Sequence, residues 1–399
     1  MWVLGLMSGT SADGVDAVLA RFGGASRRPR WRLAHSASIP YPEDLRARII
    51  ACGQGQPMAA PDLLELMEGL TEIQARAARG CDPKGLAEVV GCHGQTLWHR
   101  PPTAERQGAS CQALMGPGLA ARLRRPVVFD FRAADLSLGG QGAPLVPATD
   151  AALLGGIAGW RAVLNLGGIA NLTLIPPRWG PDRHQPVRGW DCGPANTLID
   201  LAVYQFSAGR LRLDEGGAWA RQGHIAEEVI AHWLQEPYLR QPPPKSTGRE
   251  CFGAADLERR LAFLRARIPA LTAADALATL TAFSAAAVAQ DLRRATLPVE
   301  LLVAGGGTRN PFLIDQLRLR CRGMVVRPLA ELGIGELERE ALAFALLAWW
   351  HVRDHPGSLP SVTGASGPAV LGVRANPPGG APRFSVRGGA RGGGAEERP

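Results

Sequence analysis

The chain has 399 residues, 46 % hydrophobic and 20 % charged, which is enough apolar material for a large core and for two or three domain-sized units. Its formal charge of +8 is carried almost wholly by arginine, since only Lys84 and Lys245 are lysines, and no basic block is interleaved with aromatics, which argues against a nucleic-acid partner. Seven scattered cysteines without a C-x-x-C pair point to reduced thiols and to neither a disulfide framework nor a cysteine zinc site.

The N-terminus runs from Met1 straight into apolar residues without a basic leader, so no secretory signal is expected. Residues 2–6, 15–22 and 31–39 alternate like an antiparallel meander, with the turn Ser8-Gly9-Thr10-Ser11-Ala12-Asp13-Gly14 between the first two. Helical spacing follows over 43–52 and 62–79, then a buried-strand run at 87–92 that ends in His93-Gly94-Gln95-Thr96. Gly116-Pro117-Gly118 leads a helix, and 126–131 reads as a strand.

A second unit begins near Gly140, with a helix at 149–154 and strands at 162–166 and 172–175 around Gly167-Gly168. The polar, Pro-rich segment 178–188 reads as a surface loop, and 194–206 as the helix after Asp191-Cys192-Gly193. Helices are expected over 224–235, 254–267 and 272–294, then a strand at 300–303 that meets Gly305-Gly306-Gly307, with a helix from Pro311. The last strong element is a helix from Leu337 to about Val352 that returns to pack on the first lobe. Its apolar stretch 341–350 is too short to span a bilayer, so we expect a cytoplasmic protein without a membrane partner. The expected division is 1–138 as lobe I with 337–373 packed back on it, 139–336 as lobe II, and 377–399 as a disordered Gly/Pro/Arg-rich tail.

Three glycine turns stand at strand ends. In the first, backbone N–H groups and hydroxyls suit polyphosphate oxygens, and Asp13 or Asp16 can hold Mg²⁺; an ordinary hairpin turn is the alternative. In the second, Asn165-Leu166-Gly167-Gly168-Ile169-Ala170-Asn171, glycine permits close backbone approach to a phosphate. In the third, at 304–311, bare backbone meets a helix start where a nucleotide can sit. Asp191 serves either as a helix N-cap or as a general base. His93 is open to a structural reading, and the segment 243–250 is either a solvent loop or a source of donors for anions and sugar hydroxyls.

Taken with Asp130-Phe131-Arg132, the run 139–147 and Glu340-Ala341-Leu342-Ala343-Phe344, these motifs resemble anhydro-N-acetylmuramic acid kinases, members of the sugar kinase, heat-shock ATPase and actin superfamily. The resemblance covers the chain to about Arg374 and implies an α/β, two-lobed actin-like ATPase fold, duplicated and ribonuclease H-like, with an interlobe nucleotide cleft. It implies that Gly9, Thr10, Ser11, Ala12, Asp13, Gly14, Val15 and Asp16 bind ATP phosphates, with Mg²⁺ on Asp13 and Asp16. Asn165, Gly167, Gly168 and Asn171 form the second phosphate motif, and Gly305, Gly306 and Gly307 lie near adenosine. Asp191 is then the catalytic base, and His93, Gln95, Arg132 and Glu340 lie on the substrate side.

The implied reaction takes 1,6-anhydro-N-acetylmuramic acid, water and ATP to N-acetylmuramic acid 6-phosphate and ADP, in a cytoplasmic homodimer that recycles cell-wall sugar. Arg132, Lys245 and Arg249 are the cations to examine for the lactyl carboxylate. Two positions depart from the family's pattern, Cys192 for Thr and Ala195 for Gly, and are expected to alter rate or packing before reaction type. The alternatives are a kinase for an ordinary free amino sugar, and a non-catalytic nucleotide switch acting on a protein partner.

Overall fold

The computed structural model describes residues 1–379 apart from Thr10, Pro244, Arg249 and Glu336. The Thr10 and Arg249 assignments, and the tail from residue 380, therefore lie outside the described residues. The strands are β1 (Trp2–Met7), β2 (Gly14–Ala25), β3 (Arg28–Pro40), β4 (Val89–Cys92), β5 (Gln95–Arg100), β6 (Ala109–Ala113) and β7 (Val127–Phe129). They continue with β8 (Arg161–Leu166), β9 (Ile169–Ile175), β10 (Arg188–Pro194), β11 (Glu300–Ala304), β12 (Val325–Pro328) and β13 (Val373–Ala375).

One sheet runs β13-β7-β4-β1-β2-β3 and another β10-β9-β8-β11-β12. From β3 to β7 the first sheet pairs antiparallel, antiparallel, parallel, parallel. From β10 to β12 the second repeats the same sequence of pairings. The architecture is thus a duplicated α/β unit of the actin-like ATPase kind. Each half has three parallel strands whose carboxyl ends collect loops, which is where open α/β sheets bind ligands.

Alternate residues of the central strands feed different cores. Leu301 and Val303 join a cluster with Ala285, Val288 and Leu292 of the helix Ala273–Ala295, whereas Leu302 and Ala304 join one with the helix Glu338–His351. Burial on both faces is why these strands read as continuous apolar runs. The Glu338–His351 helix lies in the core that holds Val3, Val18 and Val89 of the first sheet together with Val163 and Leu302 of the second. The outer face of the first sheet is covered by the helix Ala60–Cys81 through Leu66 and Leu70.

A glycine pair sets how closely the Glu338–His351 helix approaches. Gly5 and Gly91 stand opposite each other in register, and a Cβ on them would lie 1.9 Å from the Ala341 carbonyl oxygen and 2.2 Å from that of Phe344. Only bare backbone lets the helix rest there.

Some expectations change. Beyond the strand run ending at Cys92 the chain turns at His93-Gly94 into a hairpin, β5–β6, that the sequence pattern does not predict. The loop expected over 178–188 gives way at Arg188 to β10, so Asp191 is a strand residue. The following helix starts at Thr197 rather than Pro194, with Asn196 at its N-cap, which removes the capping role considered for Asp191. By length and composition the helix Ala273–Ala295 is apolar enough to cross a membrane, contrary to the expectation from sequence, but 78 % of that apolar window is buried inside the protein.

Candidate active site

The first glycine turn joins β1 to β2 at the carboxyl end of a parallel strand. It closes through the Ala12 N–H, which donates to the Gly9 carbonyl at 3.1 Å, and Ala12 takes a left-handed φ of 54°. Its scaffold is polar and buried. Ser8 Oγ accepts from Tyr41 Oη at 2.9 Å and lies 2.5 Å from Gln95 Oε1, while Gln95 Nε2 donates to the Gly9 carbonyl at 3.1 Å. Gln95 is fully buried, so its amide straps the turn to β5.

His93, at the end of β4, faces the same turn. Its Nδ1 lies 3.2 Å from the Ser8 carbonyl and 2.9 Å from that of Gly94, and its Nε2 lies 2.9 Å from Arg132 Nη2. Two carbonyls on one side and a guanidinium on the other require a neutral ring protonated at Nδ1. Burial, reinforced by the Arg132 charge, accordingly pushes the imidazole down to about 3. Arg132 also donates from Nη1 to the Gly142 carbonyl at 2.7 Å.

The loop after β7 is pinned by the buried Asp135, which accepts from the Gly142 N–H at 2.8 Å and from Thr363 Oγ1 at 2.7 Å. Glu340 sits in the first turn of the Glu338–His351 helix, where burial raises its carboxyl while Arg339 and Arg132 oppose the rise. Asp16, half-buried on β2, is likewise raised by burial, a Ser38 hydrogen bond opposes this, and the Asp13 charge adds to it. Asp13 is exposed and pairs with Arg46 at 3.3 Å.

The second turn joins β8 to β9, the counterpart of β1 and β2. Its Gly167 and Gly168 carbonyls accept from the Asn196 and Thr197 N–H groups, each at 3.1 Å, tying the turn to the next helix. The third turn nests on it. Gly305 has φ 84°, and a Cβ there would lie 2.7 Å from Asn165 Oδ1; one on Gly307 would lie 2.6 Å from Leu166 Cβ. The structure therefore brings together two glycine motifs that are far apart in sequence.

Asp191 stands beside them. Asn171, paired with Asn165 across the β8–β9 register, donates through Nδ2 to Asp191 Oδ1. Oδ2 accepts from Ser246 Oγ at 2.9 Å and from the Thr247 N–H at 3.0 Å. Three donors converging on a half-buried carboxylate fit an ionised acceptor held in one orientation.

Strand alternation turns the neighbouring Cys192 into the core, where burial first and the Asp291 charge second raise its thiol well above the ordinary range. It is an inert packing residue, as is the buried Ala195. Lys245 is not available to a ligand carboxylate. Its ammonium is buried against Asp291 at 3.0 Å.

Ser246, Thr247 and the Lys245–Asp291 pair were not singled out as parts of the base's surroundings from sequence. The polar run 243–250 was the signal for the first two; Asp291 gave none, being one carboxylate within an alanine-rich helix.

A sequence model of the anhydro-N-acetylmuramic acid kinase family matches residues 1–377. The chain is 62 % identical over 382 residues to the anhydro-N-acetylmuramic acid kinase of Synechococcus sp. strain CC9605, and 61 % identical over 382 residues to that of Prochlorococcus marinus strain MIT 9303. Each comparison covers 94 % of this chain and 100 % of the relative. Among solved structures, the activator of the 2-hydroxyisocaproyl-CoA dehydratase from Clostridium difficile with bound ADPNP overlays with a TM-score of 0.43 at 11 % identity, covering 88 % of this chain and 96 % of that one. At that overlap the strand order, not the likeness, carries the fold.

Proposed function

The chain belongs to the anhydro-N-acetylmuramic acid kinase family, and on that footing we propose that it hydrolyses the anhydro bond of 1,6-anhydro-N-acetylmuramic acid and phosphorylates O6 with ATP. The products are N-acetylmuramic acid 6-phosphate and ADP, a step in recycling cell-wall sugar. The observation that carries the mechanistic reading is the carboxylate of Asp191, held by Asn171, Ser246 and Thr247 beside the second glycine turn.

Asp191 takes a proton from water, whose oxygen attacks the anomeric carbon from the face opposite the bridge, as the base carboxylate does in inverting glycoside hydrolysis. The C1–O6 bond breaks, and the electron pair left on O6 attacks the γ-phosphorus of ATP in line with the departing ADP. Because phosphoryl transfer captures O6 directly, no acid has to protonate it. Backbone N–H groups of the Gly9–Asp16 and Asn165–Asn171 turns would meet the phosphate oxygens from the two halves.

Asp13 and Asp16 suit Mg²⁺. They are oxygen donors close enough for one charge to raise the other's carboxyl, a repulsion that a cation relieves, and a nucleotide-borne Mg²⁺ takes only one or two protein carboxylates. When bound it would neutralise charge on the phosphates. In this reading His93 and Gln95 act through the groups they hold, Arg132 and the first turn, while Arg132 and Glu340 face the sugar. The enzyme works in the cytoplasm as a homodimer, without nucleic-acid or membrane partners.

The test is turnover of the anhydro sugar with Mg-ATP in ¹⁸O-labelled water, beside N-acetylglucosamine and N-acetylmuramic acid as acceptors. Label at the anomeric hydroxyl of a phosphorylated product, lost in Asp191→Asn, is expected. Activity on free amino sugars with none on the anhydro sugar would overturn the assignment.

A further inference from the structure

Asp191 is gripped from two directions by groups that meet at one buried ion pair. On its own strand the preceding residue, Trp190, donates through Nε1 to Asp291 Oδ2 at 3.0 Å. From the facing segment, Lys245 Nζ donates to Asp291 Oδ1 at 3.0 Å, and the Lys245 carbonyl accepts the Asp191 N–H at 3.0 Å. The two residues after Lys245 supply Ser246 Oγ and the Thr247 N–H to the carboxylate.

Tyr238 completes the frame. Its hydroxyl donates to the Asp191 carbonyl at 2.7 Å, and Lys245 Nζ lies 3.4 Å from the Tyr238 carbonyl and 4.9 Å from the centre of its ring. Both ionic side chains are almost wholly buried, at 1 % and 2 % exposure.

Stability alone does not account for this pair. A buried ion pair loses so much hydration that well-packed apolar side chains in its place are often as stable or more so. Composition adds a second argument. In a chain whose 44 basic residues include only two lysines, one of the two is here. The compact ammonium serves Asp291, the Tyr238 carbonyl and the Tyr238 ring face at once.

We infer that Asp291 and Lys245 form a positioning pair for the base, an inference that rests on the reading of Asp191 above. Asp291, fixed on the long core helix Ala273–Ala295, sets both the strand that carries Asp191 and the segment that delivers its donors. Neither member touches substrate. Their effect is to keep the carboxylate in the orientation that meets the attacking water.

The experiment compares the full chain with Lys245→Met/Asp291→Leu, which removes both charges together, and with Asp191→Asn. The double variant is expected to stay folded, with a melting temperature lowered only by the Trp190 N–H left without its acceptor, and to hold KM for ATP and sugar within about 3-fold, while kcat falls on the order of 100-fold, the cost of a base displaced by about 1 Å. Adding Ser246→Ala should cost nothing further in the double variant but should lower kcat in the parent, because coupled groups are not additive.

An inactive Asp191→Asn beside a double variant with parental kcat would overturn the pair's role and leave the base reading intact. A fully active Asp191→Asn would overturn both. If the double variant does not fold, Asp291→Glu, which keeps the ion pair but displaces it by one methylene, must show the same loss in kcat with KM unchanged; parental kcat there would overturn the inference.

Discussion

Arg132 donates from Nη2 to Nε2 of His93 at 2.9 Å, and the other ring nitrogen faces the carbonyls of Ser8 and Gly94. Protonating the ring would set a second positive charge against the guanidinium, in a place water does not reach. The folded value, about 3, lies below the ordinary 6.5, so the unfolded chain binds the extra proton. The contribution is complete above about pH 6.5 and is lost as pH falls toward 3, at roughly 1.4 kcal/mol per pH unit. Denaturation at several pH values should show one proton's slope that His93→Gln removes. The His93 ring should stay neutral by NMR at pH 5.

Gly5→Ala and Gly91→Ala should each destabilise the protein by about 2–4 kcal/mol, because the new methyl meets helix backbone that cannot move alone. Gly23→Ala, on β2 with nothing within 4 Å, should change stability by no more than about 0.5 kcal/mol. Chemical denaturation of the three variants decides it.

Gln95→Leu should raise KM for ATP roughly 10-fold while leaving KM for the sugar near its parental value, since it deprives the Gly9 carbonyl and Ser8 of buried partners. Initial rates with each substrate varied in turn separate the two constants.

Asp16→Asn should shift the Mg²⁺ dependence of turnover to higher concentration by about 10-fold, since it leaves Asp13 as the single carboxylate of the pair. A magnesium titration at fixed ATP reads the shift.

Much of this arrangement was legible from residues alone, for a local reason. The turns at Gly9–Asp16, Gly167-Gly168 and Gly305–Gly307 interrupt apolar strands within a few residues, so pattern and punctuation coincide. β10 was not legible, because Gly189, Gly193 and Pro194 mark it as a loop and its register slips between Asp191 and Gly193. The hairpin β5–β6 was hidden for a related reason: its register also shifts, between Thr96 and Trp98, and few of its side chains are buried. Two of the three donors to the Asp191 carboxylate, Ser246 and Thr247, lie 55 and 56 residues downstream and Asp291 lies 46 beyond Lys245, so only folding makes them neighbours.

The position of the Glu338–His351 helix has a consequence for synthesis. When a ribosome has finished β12 at Pro328, every strand of both sheets except β13 exists, but the groove over Gly5 and Gly91 has nothing in it. Val3, Val18 and Val89 stay open to water until the helix emerges, so the first half of the chain waits for the last to finish folding. A message broken before codon 338 would yield a product with that apolar face bare, a substrate for chaperones and proteases rather than a smaller enzyme.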